Sequence, residues 1–229
     1  MTLDNTKSVQ EFVAAYVGGK TVLDVGCVAH SAESATSELW LHGVIARSAT
    51  YTLGVDILEE DVQKLQKLGY NIICGDVTTI ELPDKFDFVV AGELIEHVWN
   101  PGTFISNMAR HLKDDGRLLI TTPNCFFFLH YLEFLFTKVD NRWNPEHVAW
   151  YDVFTLGNML RANGYELDEY HYLTRSTKLR RLLRFFRLPV VGFLSSTVLV
   201  VARKACDHPR ASRHQTNNDL PANGVVDGS

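Results

Sequence analysis

Two sets of residues in this 229-residue chain have the types and spacing to do chemistry. Glu93, Glu96 and His97 stand at i, i+3 and i+4 in A-G-E-L-I-E-H-V-W-N-P. On a helical turn those positions share one face, so two carboxylates and an imidazole would be presented together. His147, in N-P-E-H-V-A-W-Y-D, could reach the same cleft, although a lone histidine is as well explained as a surface residue. Groups of this kind can take a proton from a reacting hydroxyl. The second set is a series of acids at the ends of apolar runs: Asp24 in V-L-D-V-G-C, Asp56 in L-G-V-D-I and Asp76 in C-G-D-V. Any one alone would pass for a cap or turn residue. Three in register point instead to polar groups converging on one pocket, where the two oxygens of Asp56 could accept both hydroxyls of a ribose.

Elements must hold these groups in line. From residue 21 short β-branched runs alternate with longer helical stretches, the pattern of a parallel sheet covered by helices on both faces. Strands are expected at Thr21 to Val25, Tyr51 to Val55, Asn71 to Cys74, Phe86 to Ala91 and Arg117 to Thr121, with two more near Leu167 to Tyr172 and Thr197 to Arg203. Helices are expected at about 34 to 47, 59 to 67, 101 to 113 and 153 to 163. Asn100 serves as N-cap for the third of these, with Pro101 in its first position. The acids then fall at the carboxyl edge of the sheet, where α/β folds bind ligands.

This series of motifs, in order and spacing, resembles the class I S-adenosylmethionine (SAM)-dependent methyltransferases over roughly residues 15 to 203. It is most similar to the O-methyltransferases of ubiquinone biosynthesis and their relatives that act on sugars and other small metabolites. The resemblance implies an α/β Rossmann-like, doubly wound and mostly parallel seven-stranded sheet. It places the amino-acid end of SAM near Asp24 and Gly26, the ribose at Asp56 and the adenine at Asp76 with Val77. Cys27, Ile57 and Gly92 complete the implied cofactor-binding set. His97, His147 and Glu96 become the catalytic candidates, with a hydroxyl of a quinol, sugar or other metabolite as acceptor. A nicotinamide site fits less well, because the first turn lacks G-x-G-x-x-G.

Two features bear on that implication. The family's first loop usually reads D-x-G-x-G-x-G, whereas here Gly26 is followed by Cys27, Val28, Ala29 and His30. A β-branched Val28 resists the positive φ that glycine accepts, so the loop takes another path, binds SAM more weakly, or belongs to a non-catalytic SAM-like binding domain. The E-x-x-E-H run with a later histidine is also similar to the divalent-metal site of small-RNA 2′-O-methyltransferases. That similarity implies Mg²⁺, Mn²⁺ or Zn²⁺ on Glu93, Glu96, His97 and His147.

Composition narrows the alternatives. With 22 Lys+Arg against 27 Asp+Glu the formal charge is -5, the wrong sign for a protein that grips phosphate backbones, so no nucleic-acid partner is expected. Four cysteines, Cys27, Cys74, Cys125 and Cys206, form no C-x-x-C and suggest a reducing compartment. Residues 1 to 12 contain no signal-like apolar stretch, and the apolar runs near 125 to 136 and 188 to 201 are too short to span a bilayer, so a cytoplasmic protein is expected.

The methyltransferase domain is expected over 1 to 205, with lid elements about 125 to 150 and 175 to 190. The aromatic residues Phe126, Phe127, Phe128, Tyr131, Phe134 and Phe136 cover nearly every side of a helix. Core packing is their expected job, with an apolar wall for a ring-shaped acceptor as the alternative. Between 175 and 188, Leu179, Leu182, Leu183 and Phe186 repeat at helical spacing among six basic residues. That is a lid helix with a basic face, or a peripheral contact with an anionic membrane. The last 24 residues are polar and expected to be disordered.

Overall fold

The structure, a computed structural model, describes residues 7–136, 144–174, 181, 185 and 192–205. Among them seven strands form one sheet: β1 (Thr21–Val25), β2 (Tyr51–Asp56), β3 (Ile72–Cys74), β4 (Phe86–Gly92), β5 (Leu112–Pro123), β6 (Tyr165–Leu173) and β7 (Thr197–Lys204), in the order β3-β2-β1-β4-β5-β7-β6. β1 pairs parallel with both β2 and β4, while β7 runs antiparallel between β5 and β6. The sheet is therefore mostly parallel, as the sequence pattern leads one to expect. The chain leaves β1 toward β2 on one side and resumes at β4 on the other, which opens a crevice at the carboxyl ends of β1 and β4.

Alternate residues of each strand face opposite layers. Leu23, Val25, Val89, Ala91 and Ile120 pack in one buried cluster with Phe104, Ile105 and Met108 of α4 (Pro101–Arg110) and with Leu156 and Leu160 of α6 (Val153–Ala162). Val22, Phe88, Val90, Leu119 and Val201 pack in another with Phe12, Val13 and Val17 of α1 (Val9–Val17) and Ile45 of α2 (Leu41–Ser48). Helix α3 (Glu59–Lys67) buries Val62 and Leu65 beside β3. Helices thus cover both faces.

The structure departs from the sequence expectations in several places. Helix α1 was not expected, although its N-terminus is marked by Ser8 and Glu11, which form a capping box: the Glu11 N–H donates to Ser8 Oγ and the Ser8 N–H to Glu11 Oε2. The helix expected at 34 to 47 is instead a 3₁₀ turn, Ala32–Thr36, followed by α2. Serine and threonine side chains explain the break, because Ser34 Oγ donates to Ala29 O, Thr36 Oγ1 donates to Glu33 O, and Ser37 Oγ accepts from Leu39 N–H. Helix α4 ends at Arg110 because the chain enters β5 two residues later, so that strand is longer than expected.

The aromatic stretch is not core. On α5 (Phe128–Phe136) Tyr131, Leu135 and Phe136 are exposed, the last by 80%, and so is Phe126 just before it. Among the described residues no helix is long and apolar enough to cross a membrane. Most of the basic segment 175 to 188 and the whole tail 206 to 229 lie outside the described residues, although Arg181 and Phe185 are described and exposed.

Candidate active site

The loop leaving β1 shows how a glycine-poor sequence makes this turn. Positive φ falls at Gly26 (74°), Ala29 (55°) and His30 (74°), and Val28 is spared. At Gly26 the backbone angle strains any side chain, and a Cβ would come within 2.9 Å of Leu94 Cδ1, so Leu94 would also have to shift. The loop is then held by polar contacts. The Gly26 N–H donates to Val55 O (2.8 Å), the Trp40 Nε1–H to Cys27 O (2.8 Å), and the Val28 N–H to Asp56 Oδ2 (2.9 Å). Burial pushes the Cys27 thiol pKa up, so this cysteine packs as a small apolar group.

Of the three acids, Asp24 is 2% exposed and its Oδ2 lies 2.8 Å from Nδ1 of His42, which is equally buried. Burial raises the Asp24 pKa, against the opposing pull of His42. Its carboxylate is therefore withdrawn from solvent and committed to His42. Asp56 accepts from the N–H groups of both Val28 and Leu58, which fixes its carboxylate at the carboxyl end of β2 beside an exposed Ile57. Asp76 makes a local turn, Oδ1 accepting from both the N–H and the hydroxyl of Thr78. Val77 is half-buried, its carbonyl held by Asn107 Nδ2. Gly92 ends β4 where a Cβ would strike Leu41 Cδ2 at 2.3 Å.

Across the crevice, Glu93 adopts a left-handed backbone (φ 53°) and its N–H donates to Thr121 O. The chain then makes a 3₁₀ turn, Ile95–His97. The shared helical face expected for Glu93, Glu96 and His97 is consequently not formed, because Glu93 precedes the turn in a different conformation. The structure instead brings Glu96, His97 and His147 together, with one ligand atom from each within 4.8 Å of the others; Glu93 falls outside that group. Glu96 is buried and its Oε2 accepts from Thr122 Oγ1 (3.0 Å). Its backbone carbonyl accepts from the N–H groups of Val148 and Ala149, which docks the segment carrying His147. The rings of His97 and His147 meet edge to face with centroids 4.8 Å apart. Burial lowers the pKa of both, so both favour the neutral, proton-accepting form.

Several participants escaped the sequence reading. His42 has no local signal for a partner 18 residues away, and Thr122 belongs to a strand read only for its apolar pattern. His30 and Glu146 join the two sides of the crevice: His30 Nδ1 lies 3.6 Å from Glu146 Oε2, and its ring centroid lies 6.0 Å from that of His97. From His147 a series of ring contacts leads outward through Trp150 and His130 to Phe127.

Comparison with known proteins gives consistent relationships. A family model described as a methyltransferase domain matches residues 3–170. The ubiquinone biosynthesis O-methyltransferase of Dechloromonas aromatica is 34% identical over 119 residues, covering 48% of this chain and 47% of that protein. The protein of the same description from Bradyrhizobium diazoefficiens is 26% identical over 167 residues, covering 70% and 62%. The chain spans about half the length of the curated relatives it matches. Magnesium protoporphyrin IX methyltransferase from Synechocystis PCC 6803, solved with bound SAH, shares the fold at a TM-score of 0.57 and 17% identity, covering 86% of this chain and 82% of that one.

Proposed function

We propose that this chain, which belongs to the methyltransferase-domain family, transfers a methyl group from SAM to a hydroxyl of a small molecule. When bound, SAM supplies a sulfonium methyl, an electrophilic carbon that needs an aligned nucleophile and little else. The loop backbone at Gly26 and Cys27 would hold the amino-acid end, beneath which Asp24 and His42 fix the turn. Asp56 would accept the ribose hydroxyls, with exposed Ile57 against the ring system and Asp76 and Val77 beside the adenine. Gly92, lacking a side chain, keeps the end of β4 close to Leu41.

The observation that supports this reading is the grouping of two half-buried imidazoles with a buried carboxylate near the loop that leaves β1, with His30 of that loop edge-on to His97. A hydroxyl must lose a proton as its oxygen takes the methyl group. His97 or His147 can accept it, with Glu96 favouring the imidazolium that forms. Holding both reactants in line supplies much of the remaining acceleration. The half-buried rings of Phe127 and Phe128, with the exposed ring of Trp150, offer a wall for an acceptor with a ring or apolar portion. Transfer of radiolabelled methyl from SAM to quinol, phenol and sugar acceptors tests the reading. Label should appear on a hydroxyl-bearing acceptor, and label found only on amines would redirect it to nitrogen.

A second, metal-assisted reading is favoured by the Glu96, His97 and His147 group, whose donor atoms lie within 4.8 Å of one another. Neutral imidazoles with a carboxylate suit Zn²⁺ or Mn²⁺ better than Mg²⁺, which prefers oxygen. A cation there would lower the pKa of the acceptor hydroxyl, and the same residues would then orient rather than deprotonate. Turnover abolished by chelator and restored by added Mn²⁺ or Zn²⁺ distinguishes the two.

A further inference from the structure

We propose that His30 is a further protein ligand of the cation site and that it links cation binding to the cofactor loop; this rests on the metal-assisted reading above. His30 stands where the resembled family's loop carries a glycine, and it holds a left-handed backbone angle of 74°. A non-glycine residue in that region is uncommon, and persists where the surroundings over-determine it. Its side chain is 69% exposed and lies beside the crevice. The His97 ring thus lies 6.0 Å from that of His30 and 4.8 Å from that of His147.

Glu146 supplies the second observation. Its carboxylate oxygen Oε2 lies 3.6 Å from Nδ1 of His30, an ion-pair contact reaching from the segment that carries His147 to the loop. Metal-bound histidines are regularly oriented in this way, one ring nitrogen held by a carboxylate or backbone carbonyl so that the other points at the ion. A residue adjacent to His147 thus pairs with the imidazole that the loop presents across the crevice. His30 stands outside the Glu96, His97 and His147 group as it lies, and turning its exposed ring inward would complete a set of three imidazoles and one carboxylate, the number a tetrahedral Zn²⁺ site takes.

The consequence is linkage. Val28, two residues before His30, is held by the Asp56 carboxylate, so whatever engages Asp56 and the loop backbone also sets the position of His30. Cation and cofactor should each tighten the other by the same factor. Calorimetric titration of the full chain with Zn²⁺ and with Mn²⁺, each with and without S-adenosylhomocysteine, tests this. The wild type should bind one cation, several-fold more tightly when S-adenosylhomocysteine is present. His30→Gly restores the glycine that the backbone angle favours. It should keep or improve S-adenosylhomocysteine binding, lose about tenfold or more in cation affinity, and abolish the linkage. If His30→Gly misfolds, His30→Asn, which also tolerates this backbone, reads the same affinities. Cation affinity and linkage unchanged in these variants would overturn the proposal and leave the metal-assisted reading standing. No cation binding by the wild type at millimolar concentration would remove both.

Discussion

The two sides of the crevice are built on different plans. On the β1–β2 side the polar groups are engaged by the protein itself: Asp24 with His42, Asp56 with the backbone of Val28 and Leu58, and the Cys27 carbonyl with Trp40. On the β4–β5 side His97 and His147 are only half-buried and lead by ring contacts toward α5, whose outer apolar side chains face solvent. The first side is shaped before a ligand arrives, which suits a constant cofactor. The second keeps imidazoles and apolar surface on offer, which suits a variable acceptor. Substitutions on the two sides should therefore fail differently.

The largest effect is expected from His97→Ala combined with His147→Ala, which removes both candidate bases. Turnover should fall at least about 100-fold, while SAM affinity measured by calorimetry stays near wild type. A parallel loss of SAM affinity would erase the division between the sides. In chelator-treated wild type the same histidines predict the sign of the pH dependence. A base must be neutral, and burial lowers both pKa values, so activity should hold just below the ordinary imidazole value of about 6.5 and decline at lower pH. A decline already complete above that value would contradict the burial argument.

Next in size is His42→Ala, which strips a buried partner from Asp24. It should cost on the order of 3 kcal/mol in urea unfolding, a stability loss that no single acceptor-side change should match. Asp56→Ala should weaken SAM binding by about 1.5 to 3 kcal/mol, through both the ribose contact and the freed Val28 loop. The smallest effect belongs to α5: Leu135→Ser with Phe136→Ser should move stability by less than about 0.5 kcal/mol per site, because both side chains are already in water.

The same contrast explains what the sequence could reveal. The β-strands and their terminal acids were legible because each apolar run stops at a polar residue, a signal confined to a few neighbours. The doubly wound, mostly parallel sheet followed once five such units stood in series. The path of the first loop was not legible, since Val28 forbids the expected positive φ and the structure moves it to Ala29 and His30. Glu93 was misplaced for the same reason, a left-handed residue hidden inside what looks like helical spacing. The pairings of His42 with Asp24 and of Glu146 with His30 join distant segments and carry no periodic signal at all. Burial of the aromatic stretch was wrongly expected because hydrophobicity reports what a face can cover, and not whether anything covers it.

Direct titration of the wild-type chain with SAM is the measurement closest to the central claim, that the β1–β2 side is a pre-formed cofactor site despite its missing glycines. The account predicts saturable one-to-one binding with a Kd below about 1 mM, an affinity of at least about 4 kcal/mol, weakened by Asp56→Ala and indifferent to the loss of His147. An absence of binding at several millimolar SAM, in protein shown to be folded, would contradict it.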